Sequence, residues 1–291
     1  MPKLSLGALR LTRHFSLHFS HLLLTIAPDS IAILQCSGWH CPSRRQRLLA
    51  QWRASAEQLP SAEQLAQQLQ TMLSDLRANT PLPRACHLVL SDHWARYFLV
   101  TPAQNSQRLA DCEAAAQMRF QTLYGDSPQA WSLQAQWDAK QDFLACALPR
   151  TLLKPLLDAV LAQNLRLMSV LPYFIASWNH WCKRLADNAW WLVFQADSVQ
   201  LAVFTNGKLQ ALQQQRLSNR FWQTPESLRN MVQRESLRLA IPPAERLQLC
   251  GQVPIDWKNQ LCQGFECELL SALPNQAQHS AALHLLQGAW G

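Results

Sequence analysis

The chain has 291 residues, with 26 Lys and Arg against 19 Asp and Glu, for a formal net charge of +7. An apolar share of 48% excludes wholesale disorder, and the length predicts two lobes rather than one core. Only eight glycines are present, about 3% against an average of about 7%, so few backbone positions could close around a phosphate, which disfavours a nucleotide-handling enzyme.

Residues 15–26 are apolar but short. His14, His18 and His21 interrupt them, so they predict an N-terminal strand rather than a signal peptide or a membrane-spanning helix. The runs 22–26 and 31–36, split by Pro28-Asp29-Ser30, read as a hairpin, with a third strand over 46–54. Residues 61–77 carry Leu65, Leu69, Met72, Leu73 and Leu76 at helical spacing behind the N-cap residue Ser61. Strands follow at 86–91 and 94–100, then a helix over 106–124, strands at 131–137 and 143–148, a helix over 151–163 and a strand at 165–171. The aromatic run Tyr173, Phe174, Trp178, Trp181 predicts a buried helix ending near 185.

A second hairpin is predicted from 190–194 and 199–204. A third strand, 208–217, follows Asn206-Gly207, a strong two-residue turn signal. A helix over 224–241, a strand at 246–251, a helix at 254–263, a strand at 265–270 and a helix at 279–286 complete the chain. The order of hairpin, third strand, helix, strand appears twice. The expected fold class is therefore α/β, a duplicated ribonuclease-H-like (actin-like ATPase) fold. Residues 1–91 with 164–187 form its first lobe, 92–163 an inserted α+β subdomain, and 188–291 the second lobe.

Several stretches resemble the cytoplasmic actin-like assembly proteins of type IV pilus and type II secretion machines, the PilM and secretion protein L group. They are CHLVLSDHWARYFLVTPAQ, DCEAAAQMRFQTLYG and WSLQAQWDAKQDFLACALPRTLLKPLLDAVLAQNLRLMSVLPYFIASWN, together with the hairpin VFQADSVQLAVFTNGKLQALQQQRL. The resemblance covers about residues 22–288 and rests on pattern. The tail LHLLQGAW is similar to the stretch that precedes the anchor of secretion protein L. With the chain ending at Gly291, a soluble, PilM-like arrangement is the expectation.

That resemblance implies where a nucleotide would sit. Actin-like ATPases bind phosphate with two hairpin turns of the type Asp-x-Gly, where glycine lets backbone N–H groups approach and Asp holds the metal through water. The first hairpin here offers Pro28-Asp29-Ser30, with no glycine and with a proline that lacks a donor. In the second, Phe194 stands in the Asp position and Ala196 in the Gly position, with Asp197 and Ser198 shifted along the turn. The adenosine loop, a Gly-Gly pair, is reduced to Cys250-Gly251-Gln252. Asp29, Ser30, Asp197, Ser198 and Gly251 are therefore candidate vestiges of a cofactor site, with no bound cofactor, ATP included, expected.

No G-x-S-x-G or H-E-x-x-H motif is present, and no catalytic residue is assigned. The nine cysteines are scattered, which suits a reducing cytoplasm. Cys36-x3-His40-Cys41 and Cys262-x4-Cys267 have borderline zinc spacing, and with Cys36 and Cys267 on predicted strands, where Cys acts as a small hydrophobe, no metal site is expected. Trp39 and Trp52 bracket the basic run Arg44, Arg45, Arg47, and these five are the candidate partner-binding residues.

By resemblance the protein is a non-catalytic adaptor, cytoplasmic and peripheral at the inner membrane. It would bind the tail of a single-span (bitopic) inner-membrane pilus or secretion protein and link it to the assembly ATPase. An actin-like ATPase with degenerate phosphate loops is the alternative. A nucleic-acid partner, which the net +7 also suggests, is not favoured because the charge is dispersed.

Overall fold

The computed structural model describes residues 20–37, 46–55, 59–195, 197–218, 226–242, 245–253, 266–270 and 282. The sequence-predicted helices at 254–263 and 279–286 lie outside them, Ala282 apart. So do Trp39, Arg44, Arg45 and Ala196. The chain divides into two compact units between Tyr173 and Phe174.

The first unit opens with the hairpin β1 (Ser20–Ala27) and β2 (Ser30–Ser37), followed by β3 (Gln46–Arg53). Helix α1 (Ala62–Asn79) and strand β4 (Ala85–Leu90) come next. After the inserted elements, strand β8 (Arg166–Pro172) completes a five-stranded sheet of order β3-β2-β1-β4-β8. The pairs β1/β2 and β2/β3 are antiparallel, whereas β1/β4 and β4/β8 are parallel. The central strand β1 has Leu22, Leu23, Leu24 and Ile26 fully buried, the pattern of a strand covered on both faces. Helix α1 begins with a capping box. Ser61 Oγ accepts from the Gln64 N–H at 3.2 Å, and Gln64 Oε1 accepts from the Ser61 N–H at 2.7 Å.

The insertion follows β4. It contains β5 (Arg96–Val100), α2 (Leu109–Tyr124), β6 (Trp131–Ala135), β7 (Phe143–Pro149) and α3 (Arg150–Ala162). Its antiparallel sheet has the order β5-β7-β6, and α2 buries Cys112, Ala116 and Phe120 against Phe98, Phe143, Ala145 and Ala147. Helix α3 returns to pack on α1, with Gln163 Nε2 donating to Ser74 Oγ at 2.8 Å.

The second unit repeats the first. Strands β9 (Ala189–Phe194), β10 (Ser198–Thr205), β11 (Lys208–Arg216), helix α5 (Glu226–Leu239), and strands β12 (Arg246–Gly251) and β13 (Glu266–Leu269) form a sheet of order β11-β10-β9-β12-β13. Two antiparallel pairings are again followed by two parallel ones. This is the predicted duplicated ribonuclease-H-like architecture. Asn206 and Gly207 both take positive φ, 51° and 72°, as the predicted tight hairpin turn requires.

Leu228, Met231 and Val232 of α5 pack on one sheet face with Leu192, Val199, Leu201 and Leu249. The other face meets α4 (Tyr173–Trp181), whose Phe174 and Trp178 lie 5.0 and 6.0 Å from Trp191 between ring centroids. The sequence reading kept 174–187 with the first lobe. In the structure this aromatic face packs on the second sheet, and the second unit begins at Phe174. No described helix is long and apolar enough to cross a membrane.

Candidate functional site

In an open α/β sheet, ligands sit beyond the carboxyl ends of the parallel strands. The candidate cofactor residues fall at those ends, each within its own unit. In the first unit, β1 ends at Ala27 and β4 at Leu90, and the Ser91 N–H donates to the Ile26 carbonyl at 2.9 Å. The β1–β2 turn consists of Pro28 and Asp29, closed by the pair Ala27 and Ser30. Both carboxylate oxygens of Asp29 are engaged. Oδ1 accepts from Ser30 Oγ at 2.8 Å, and Oδ2 faces Arg53 Nε at 3.4 Å. Ser30 is fully buried, and the Asp29 carbonyl accepts from the Ala54 N–H at 2.8 Å. The pair thus serves turn and sheet-edge bonding.

The same strand end carries a residue the sequence reading passed over. Asp92, fully buried, lies in a short 3-10 turn directly after β4. Tyr97 Oη donates to its Oδ1 at 2.5 Å. Burial, with the neighbouring carboxylate second, holds the Tyr97 phenol well above its ordinary pKa. The available signal was an acidic residue immediately beyond the apolar run 86–90, a common place for a site residue on this fold.

In the second unit, β9 ends at Phe194, which is 1% exposed and part of the apolar core. Asp197 is exposed, and its carbonyl accepts from the Leu217 N–H at 2.7 Å. Ser198 is buried, and its carbonyl closes the hairpin by accepting from the Gln195 N–H at 2.8 Å. Gly251 adopts φ +92°, and a Cβ there would lie 2.2 Å from the Phe194 carbonyl oxygen. The Gln252 N–H donates to that same oxygen at 3.2 Å. Glycine is thus required because the ends of β9 and β12 run together, a backbone reason that needs no ligand.

Two of the described cysteines are held as thiols. Burial pushes Cys86 up to about 12 and Cys146 well above its ordinary value. Cys36 is buried in β2, and Cys267 packs beside the core of the second unit. Among the described residues no three His, Cys, Asp or Glu side chains gather as a metal site would need.

Of the five candidate partner-binding residues, Arg47 and Trp52 are described. Both lie on β3, the edge strand, with Arg47 exposed and Trp52 half-buried. Arg47 pairs with Gln35 and Trp52 with Ile31, and a bulge at Leu49 interrupts the register between them. Five residues apart, the two side chains would face opposite ways on a regular strand. The bulge puts both on one face.

No family model matches the chain, and no curated protein matches its sequence. Solved structures do match. A Bacteroides thetaiotaomicron protein of actin-like ATPase fold and unknown function aligns at 10% identity and TM-score 0.56, over 92% of this chain and 95% of that one. A PilM-PilN type IV pilus biogenesis complex aligns at 16% identity and TM-score 0.59, over 92% and 95%. The cytoplasmic domain of EpsL, an inner-membrane component of the type II secretion system of Vibrio cholerae, aligns at 12% identity and TM-score 0.54, over 93% and 94%. With the twice-repeated strand order, these overlaps identify the chain as a protein of the actin-like ATPase fold.

Proposed function

We propose that this protein is a non-catalytic cytoplasmic adaptor of a type IV pilus or type II secretion-like assembly machine. It holds the cytoplasmic tail of a single-span inner-membrane protein, connects it to the assembly ATPase, and sits peripherally at the membrane. The observation that carries the non-catalytic reading is the state of the strand ends. Pro28 removes a donor from the first turn, and Asp29 is committed to Ser30 and Arg53. A buried Phe194 stands where a metal-holding carboxylate is needed, and Gly251 is closed over by the Phe194 carbonyl. The fold shared with PilM and with the EpsL domain supports the choice of machine.

Calorimetric titration of the full chain with Mg-ATP tests the first half and is expected to give no heat of binding up to millimolar nucleotide. Saturable Mg-dependent binding at micromolar concentration would restore the ATPase alternative. Affinity capture from solubilised inner membranes tests the second half. The expected product is a single-span protein with a short cytoplasmic tail, and recovery of neither such a protein nor an assembly ATPase would count against the adaptor.

A further inference from the structure

The inserted subdomain carries a cluster of aromatic and basic side chains. Phe120 sits 5.1 Å from Tyr124 and 5.3 Å from Trp131 between ring centroids. Arg96, on edge strand β5, lays its guanidinium carbon over two of these rings, 5.6 Å from the Tyr124 centroid and 5.9 Å from that of Trp131. Two aromatic contacts hold the planar group in place, so little further side-chain freedom is lost when a ligand arrives. Arg150 is fixed by its Nε, which donates to the Trp131 carbonyl at 3.1 Å. Arg119, on α2, places a third positive charge near the Tyr124 phenol.

Elsewhere Arg53, Arg184, Arg234, Arg238 and Arg246 each face a carboxylate. Among the described residues no acidic side chain forms an ion pair with Arg96, Arg119 or Arg150. Arg119 and Arg150 are exposed, and Arg96, Tyr124 and Trp131 are half-buried. Leu123, beside Tyr124, is 44% exposed. Arg, Tyr and Trp are the residue types that dominate binding energy at protein interfaces.

We propose that the Arg96–Tyr124–Trp131–Arg150 cluster docks an acidic segment of a partner protein, with an Asp or Glu carboxylate taking the fork of Arg96. The planar fork matches a carboxylate with two parallel N–H donors, and the neighbouring rings and Leu123 receive the apolar residues that flank it. The three guanidiniums of the cluster are too few for the run of phosphate contacts that nucleic acid needs. A lipid surface would be met equally well by lysines without ring-fixed geometry. The site is separate from the β3 residues and does not depend on which machine the protein serves.

The test is fluorescence anisotropy on the full chain, with a labelled oligoglutamate peptide flanked by leucines and its glutamine counterpart as control. The glutamate peptide is expected to bind with an affinity that falls with salt, and the glutamine peptide to bind at least about tenfold more weakly. Arg150→Glu is expected to weaken binding about tenfold or more, and Arg96→Lys about fivefold, since it keeps the charge and loses the fork. Lys208→Glu, at an exposed position on β11, should leave affinity unchanged. Arg150 is exposed and separates folding from binding should Arg96→Lys perturb the subdomain. Equal affinity for the two peptides, wild-type affinity in both cluster variants, or binding of only single-stranded DNA or phosphatidylglycerol vesicles would each overturn the proposal.

Discussion

Two residues show how close neighbours fix a backbone conformation and a charge state. Gly251 is bound to its conformation twice, by φ +92° and by the Phe194 carbonyl oxygen 2.2 Å from a would-be Cβ. Gly251→Ala must part β9 from β12, and a loss of about 3 kcal/mol is expected, read as a lowered urea midpoint. His87, on β4, accepts or donates through Nδ1 to Ser169 Oγ at 2.8 Å and meets the His21 ring edge-on at 5.1 Å. Burial first, and the adjacent His21 second, lower its pKa from 6.5 to about 4. The folded state therefore prefers the neutral ring. Its contribution is complete above 6.5 and is lost progressively as the pH falls toward 4, where the unfolded chain binds the proton that the native chain refuses. His87→Gln should flatten this acid limb, so that wild type and variant lose stability at different rates between neutral and mildly acid pH in parallel denaturation curves.

At the scale of elements, legibility followed the strength of local chemistry. Ser61 and Gln64 announce the start of α1, and the structure joins them by reciprocal backbone bonds. Ser61→Ala is expected to cost about 1 kcal/mol in thermal or urea unfolding, since one orphan N–H loses its acceptor. Asn206-Gly207 likewise declares a turn with both residues at positive φ. The third strand of the first hairpin was the weaker inference from sequence, yet β3 is fully formed, because its pairing with β2 supplies what its polar composition does not. The bulges at Leu49, Met168 and Gln210 had no local signal. Each leaves one residue of its strand without a partner across the pair.

For the whole molecule, the duplicated order was readable because it is a matter of element sequence, and sheet order follows from it with few options. Site chemistry was less readable. The missing glycine at Pro28-Asp29-Ser30 could be seen, but not that Ser30 and Arg53 take up the Asp29 carboxylate, since Arg53 reaches it through strand pairing. Asp92 and the Arg96 cluster escaped for the same reason: their meaning lies in Tyr97, Tyr124 and Trp131 coming together in space. The extra residue at Leu49 reaches beyond geometry. Were the bulge smoothed out with its residue retained, Arg47 would pass to the opposite side of its sheet, whereas loss of that one codon would leave Arg47 and Trp52 four residues apart on a regular strand and still on one face. A lineage could thus shorten this strand by a single in-frame deletion without moving either side chain, a change that substitution scanning never visits.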